Sequence, residues 1–219
     1  MFDKSVTAHD RVRIKICGIT NFADAQVAIH SGADALGFNL FRGSKRFVNL
    51  KAESDWMNNL PARVTKVAIM VNPSWEELSK AAALPFIDSI QLHGQESAEF
   101  CRQVADAGIR FAKALPVDTS GGLEQARYFS TDTILLDCRS KRGFGGTGET
   151  FDWDIGRKFV EAHSDLRVIV AGGLTPKNVA AAVRTIRPFA VDVTTGVEES
   201  PRRKDPRRVS DFIAAVREG

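Results

Sequence analysis

Val12-Arg13-Ile14-Lys15-Ile16-Cys17-Gly18-Ile19-Thr20 is a short apolar run that ends on a thiol and is followed at once by a glycine. A run of this length and composition reads as a strand, and Gly18 as the start of a loop toward a helix. Inside a strand, a cysteine behaves as a small hydrophobe. At a strand's carboxyl end, beside a glycine that lets another group approach closely, it can do proton chemistry.

The same unit recurs along the chain. Strands are predicted at Val12–Cys17, Ala35–Leu40, Val64–Val71, Ser89–His93, Arg110–Leu115, Thr133–Asp137, Val168–Ala171 and Ala190–Thr194. Between them lie segments with apolar residues at helical spacing, such as Phe100-Val104-Ala105, Val179-Ala182-Val183-Ile186 and Val209-Phe212-Ile213-Val216. Caps mark several starts: Thr20 or Asn21, Ser74 with Glu77 three residues on, Thr175-Pro176 and Asp205-Pro206. The strands are nearly continuously apolar, as strands buried on both faces of a parallel sheet must be. Strand–helix alternation implies parallel strands joined by right-handed crossovers. Eight such units in 219 residues fit a single-domain (β/α)8 barrel toward the short end of that fold's range. An open doubly wound sheet is the competitor, but no G-x-G-x-x-G follows the first strand. No Pro/Gly/Ser-rich linker divides the chain, so residues 12–219 read as one barrel domain behind a short polar extension, residues 1–11.

Composition narrows the function classes. Thirty basic residues against 27 acidic ones leave a net charge of +3, too little to mark a nucleic-acid binder. The basic cluster Arg202, Arg203, Lys204, Arg207 and Arg208 reads first as a solvated loop. No apolar stretch approaches the roughly 18 residues needed to span a bilayer, and the start does not resemble a signal peptide. Cys17, Cys101 and Cys138 show neither paired spacing nor a nearby histidine pattern, which argues against a disulfide framework and against a metal site. A cytoplasmic protein with a small-molecule partner is expected, with neither nucleic acid nor membrane, as a monomer or homodimer.

In a barrel the active site lies at the carboxyl ends of the strands. There the chain offers Cys17, the basic loop Phe41–Phe47, Gln91-Leu92-His93-Gly94, Asp137, Gly172-Gly173 and Asp192-Val193-Thr194-Thr195-Gly196. The loops after strands 7 and 8 are the usual phosphate position, because their backbone N–H groups can accept an oxyanion. Tight turns chosen for geometry are the plain alternative. Asp137 reads as a general acid or base, or else as a cap or an ion-pair partner of Arg139 or Lys141. Arg46 could grip a carboxylate with two parallel bonds, with Arg42 and Lys45 as rivals. His93 and Asp192 are expected to contact the substrate, although a local hydrogen bond would also account for His93. The glycine-rich loop of residues 139–150 reads as a lid or as a plain connection.

These motifs together resemble the phosphoribosylanthranilate isomerase family of tryptophan biosynthesis. The resemblance rests on Lys15-Ile16-Cys17-Gly18-Ile19-Thr20, Gly32-Ala33-Asp34-Ala35-Leu36-Gly37-Phe38, Ser44-Lys45-Arg46, Gln91-Leu92-His93-Gly94, Leu135-Leu136-Asp137, Ala171-Gly172-Gly173-Leu174-Thr175-Pro176 and Gly196-Val197-Glu198. It implies a (β/α)8 barrel without metal or organic cofactor, and an aldose–ketose-type isomerase that performs an Amadori rearrangement. It implies Cys17 as general base and a protonated Asp137 as general acid. Arg46 would meet the anthranilate carboxylate, and Gly172, Gly173, Thr195 and Gly196 the phosphate. Arg46 and the phosphate-side helical end are the expected helpers of the thiol, and Lys15 is set aside for its different depth. The family's Pro-Gly-x-Lys-Asp stands here as Pro201-Arg202-Arg203-Lys204-Asp205, without the glycine. The alternatives are another phosphosugar barrel isomerase or epimerase, or a phosphate-binding barrel without catalysis. An epimerase would want histidines and acids clustered at strand ends, and the histidine-pathway isomerase has an aspartate where Cys17 stands. Retention of both Cys17 and Asp137 argues against lost catalysis.

Overall fold

Eight parallel strands close into a barrel in chain order: β1 (Arg13–Cys17), β2 (Ala35–Asn39), β3 (Thr65–Met70), β4 (Ser89–Leu92), β5 (Phe111–Val117), β6 (Thr133–Cys138), β7 (Arg167–Val170) and β8 (Ala190–Val193). The computed structural model describes residues 11–117, 122–138 and 150–219. The expected extension before residue 11 and the expected lid up to residue 149 lie outside the described residues. Closure comes from β1 pairing with β8, where Lys15 stands beside Asp192, while on its other side Cys17 stands beside Gly37 of β2.

All eight predicted strands form, with ends shifted by a residue or two. Period-two alternation sorts their side chains between two cores. Ala35, Val67, Ala112, Ala114, Leu135, Ile169, Ala171 and Ala190 make a small separate cluster that fills the barrel's interior. The neighbours of these residues, such as Leu36, Ala68, Phe111, Leu136, Val168 and Val191, join the large core under the helices. Small side chains inside leave room near the rim, where Lys15, Cys17, Gln91 and Asp192 sit instead.

The helices are α1 (Phe22–Ser31), α2 (Ser54–Asn58), α3 (Trp75–Ala82), α4 (Ala98–Asp106), α5 (Trp153–Ala162), α6 (Val179–Ile186) and α7 (Pro206–Glu218). Asn21 caps α1, Ser74 and Glu77 form a reciprocal box at α3, and Asp205 caps α7. Helix α7 buries Val209, Phe212, Ile213 and Val216, each contributing about 1.5–3 kcal/mol. Among the described residues, no helix is long and apolar enough to cross a membrane.

Four connections depart from the expected pattern. Only the five-residue α2 follows β2, and the segment after β5, Gly122–Phe129, is a 3-10 helix. Helix α6 starts at Val179, not after Thr175, because Asn178 Oδ1 accepts the Thr175 N–H at 2.7 Å and folds Pro176–Asn178 into a turn. After β8 come a 3-10 turn (Thr195–Val197) and a hairpin, β9 (Glu198–Ser200) with β10 (Arg203–Lys204), where a solvated loop was expected.

Candidate active site

A cavity of about 720 Å³ opens at the carboxyl ends of the strands, and Cys17, Asp137, Arg46, His93 and Asp192 all line it. Gly172, Gly173 and Thr195 line it as well. Gly196 alone of the expected residues does not. It faces inward, where a β-carbon would stand 1.9 Å from the Leu174 carbonyl oxygen, so its service is to let the two loops pack.

The glycine after the thiol does admit another group. Gly18 has φ +75°, and a β-carbon there would sit 2.6 Å from Arg46 Cδ, so the Arg46 stem crosses directly over it. Cys17 is buried and lies over Gly37, where a β-carbon would be 2.8 Å from its Sγ and 3.1 Å from Lys15 Cε. The thiol and the lysine stem therefore share one glycine-floored space. Lys15 is fully buried, with Nζ 2.9 Å from Asp192 Oδ2.

Burial pushes the Cys17 thiol above its ordinary range; Lys15 and Lys204 oppose this, Asp192 adds to it, and the Thr194 hydroxyl favours the thiolate. Burial alone would lower Lys15, but Asp192 and Cys17 outweigh it and hold the ammonium charged. Lys15, set aside on the sequence, is thus the main counter-charge for the thiolate. The error lay in depth: residues two apart on a strand share a face, and Gly37 removes the side chain that would part them. Lys15→Met should therefore shift the thiol's ionisation upward. The limb on which kcat/KM rises with pH moves to higher pH in the variant, and an unmoved limb would sink the coupling.

A second buried cation braces the same strand end. Lys204 Nζ donates to the Cys17 carbonyl at 2.6 Å and to Glu198 Oε1 at 3.1 Å, and burial lowers its pKa. The expected solvated loop thus contains a lysine only 2% exposed. Glu198 in turn takes Arg46 through two bonds, Nε to Oε1 at 2.8 Å and Nη2 to Oε2 at 2.5 Å. Burial would raise the Glu198 carboxyl, but Arg46 and Lys204 together hold it below the usual carboxylate range. Glu198 takes Nε and Nη2 of Arg46 and, with Cys17, keeps its guanidinium charged, so Arg46 keeps a part in helping the thiol beside the lysines.

The hairpin turn shows what the missing glycine does. Arg202 holds φ +77°, and its carbonyl accepts from Thr20 Oγ1 at 3.1 Å while its Nη1 donates to Phe47 O at 3.2 Å. A left-handed L-residue costs roughly 1–2 kcal/mol, against roughly 0.5–1 for the freedom a glycine loses. Arg202→Gly is expected to raise Tm by one or two degrees, read by thermal unfolding; a fall of that size would show that the Phe47 bond outweighs the strain.

On the opposite wall Asp137 Oδ2 is 3.2 Å from His93 Nε2, and Gln91 Nε2 is 2.8 Å from His93 Nδ1. With the Gln91 amide donating to Nδ1, Nε2 carries the proton and donates to Asp137. His93 therefore positions the carboxyl group, the local bond that the sequence also allowed. Its loop is locked from below by Glu96, which accepts from Asn72 N–H at 2.9 Å and Gly94 N–H at 3.0 Å and pairs with buried Lys113 at 2.8 Å. Gln91 Oε1 and Asp192 Oδ1, both on cavity-lining residues, are buried acceptors without a partner among the described residues.

Gly172 is fixed by contact. It has φ +84°, and a β-carbon would stand 2.6 Å from Cys138 N and 2.8 Å from Asp137 Oδ1. Among the described residues no acceptor takes the N–H of Gly172 or Gly173. Lys15, Glu198 and Lys204 were missed as site residues, and Gln91 was located at a strand end without a role. A lysine inside an apolar strand was the one available signal; Gln91 acts through His93 two residues on, while Glu198 and Lys204 owe their places to long-range contacts.

The sequence model for N-(5′-phosphoribosyl)anthranilate (PRA) isomerase matches residues 14–215. The N-(5′-phosphoribosyl)anthranilate isomerase of Magnetococcus marinus is 41% identical over 206 residues, 94% of this chain and 95% of that protein. The crystal structure of phosphoribosyl anthranilate isomerase from Thermotoga maritima superposes with a TM-score of 0.85 at 37% identity, covering 94% of this chain and 98% of that one. A structure of the enzyme in complex with reduced 1-(o-carboxyphenylamino)-1-deoxyribulose 5-phosphate gives 0.82 at 36% identity, with the same coverage. With a match that spans the whole barrel and a thiol and a carboxyl group at its mouth, this chain belongs to the N-(5′-phosphoribosyl)anthranilate isomerase family.

Proposed function

We propose that this chain isomerises N-(5-phosphoribosyl)anthranilate to 1-(2-carboxyphenylamino)-1-deoxyribulose 5-phosphate, with Asp137 as general acid and Cys17 as general base. The carrying observation is that both groups line one cavity with the Gly172-Gly173 turn beside them. Asp137 gives a proton to the ribose ring oxygen. The C1′–O bond breaks as the anilino nitrogen's lone pair forms the C=N bond of an open-chain Schiff base. The Cys17 thiolate then takes the C2′ proton, and the freed pair makes an enolamine that tautomerises to the ketone. Positioned acid–base groups of this kind contribute roughly 10²–10⁴-fold each.

The remaining residues suit the substrate's other parts. The N–H groups of Gly172 and Gly173 and the Thr195 hydroxyl are assigned to the phosphate. The Nη1 side of Arg46 is assigned to the anthranilate carboxylate. Gln91 Oε1 and Asp192 Oδ1 are assigned to ribose hydroxyl protons, since an unmet buried acceptor costs about 1–3 kcal/mol that a hydroxyl donor would recover.

The test is a fluorescence assay for consumption of phosphoribosylanthranilate by purified protein with a chelator present. Turnover is expected. No turnover would overturn the assignment, and turnover lost to the chelator would overturn a metal-free mechanism.

A further inference from the structure

The opposite end of the barrel holds a second hollow, of about 630 Å³, that shares no lining residue with the catalytic cavity. Arg11, Arg184, Arg187 and Arg217 line it, with Phe189 among its apolar walls. Arg13 stands behind them on β1.

Among the described residues the charge there is unbalanced. Arg11, Arg13 and Arg217 all turn to one carboxylate, Asp34, at 2.5, 3.4 and 3.6 Å. Asp34 also accepts the Ile14 N–H at 2.9 Å, so it is already fully engaged. Arg184 and Arg187 are exposed and have no carboxylate partner among the described residues. Even a terminal carboxylate on Gly219, which also lines the hollow, would leave guanidinium groups in excess. Burial, and then the neighbouring Arg11, lower the pKa of the Arg217 guanidinium although Asp34 opposes both.

Arg187 adds a second, independent observation. It ends α6 at φ 53°, ψ 53°, a left-handed cap that glycine fills without strain. Strain of that kind persists where the surroundings fix it and gathers at binding sites. The side chain lost with a glycine here is the one that projects a guanidinium into the hollow's wall.

We propose that this hollow is a second anion site that takes a diphosphate group, free or carried on a nucleotide. Planar guanidinium forks grip phosphate oxygens in pairs, and several forks around one concavity call for more than one phosphate. The hollow's size is that of an ordinary small-ligand pocket, about 300–1,000 Å³.

The test is titration calorimetry with inorganic pyrophosphate and, separately, with ADP. The catalytic cavity is first filled with reduced 1-(o-carboxyphenylamino)-1-deoxyribulose 5-phosphate. One equivalent of pyrophosphate is expected to bind, at least tenfold more weakly in the double variant Arg184→Ala/Arg187→Gly. Glycine suits φ 53°, so the variant should keep its Tm and its turnover. ADP binding more tightly than pyrophosphate points to a nucleotide as the source, and weaker binding to the free anion. No binding of either probe, or binding that the double variant leaves undiminished, overturns the proposal. Failure of the filler to bind would count against the proposed function instead, and the comparison of intact and substituted protein needs no filler.

Discussion

Replacing Cys17 by alanine is expected to lower kcat by about 10²–10⁴-fold while KM changes little. Among the described residues around Gly37 the thiol is the group free to take the C2′ proton: Lys15 is held charged by Asp192, whose Oδ2 takes the ammonium and whose Oδ1 is assigned to a ribose hydroxyl. Its loss removes a proton acceptor and leaves the phosphate loops and Arg46 in place. The structural cost is small. A sulfur atom vanishes from a buried spot, which costs on the order of 1 kcal/mol, so the variant should stay folded and keep its affinity for a product analogue.

The pH dependence supplies a second readout. Thiolate is the active form, and burial raises the thiol's pKa. The sign follows: intact enzyme gains kcat/KM as pH rises through neutrality toward the thiol's range. That rise should be absent from whatever activity Cys17→Ala retains. Near-normal turnover, or a residual activity with the same rising limb, would sink the assignment of the base.

The fold was legible because each of its strands is a short apolar run bounded by turn signals, and because strands buried on both faces hide no polar residue except for a reason. Lys15 was such an exception. The starts of the helices with strong caps, α3 and α7, were legible to the residue. The 3-10 segment after β5 was not, since Leu123, Ala126 and Phe129 carry apolar spacing that a helix of either kind would satisfy.

The site divides the same way. Residues at strand ends could be located because the barrel gives strand ends an address. Residues that act through long-range partners could not. Arg46 and Glu198 are 152 positions apart, and Lys204 reaches Cys17 across 187. Charge composition around Lys204 argues for solvent, and only the hairpin that turns its ammonium inward reverses this. The roles of Glu198 and Lys204 are thus properties of the closed barrel, invisible to local pattern.

Asp137→Asn is expected to cut kcat by a similar 10²–10⁴-fold, again with KM nearly unchanged. The amide keeps the shape of the carboxyl group, and its oxygen can still accept from His93 Nε2, which lies 3.2 Å from Oδ2. What it loses is a proton it can give up. Ring opening needs that proton, because the ribose oxygen cannot leave as an alkoxide in a cavity where the neighbouring loop is committed to phosphate. Direction of the proton matters too: Gln91 fixes His93, and His93 fixes one carboxyl oxygen, so the other is the one able to present a proton to the ring. Replacing His93 by alanine should therefore cost less than replacing Asp137, since it loosens the donor without removing it. A His93 variant slower than Asp137→Asn would transfer the acid's role to the imidazole.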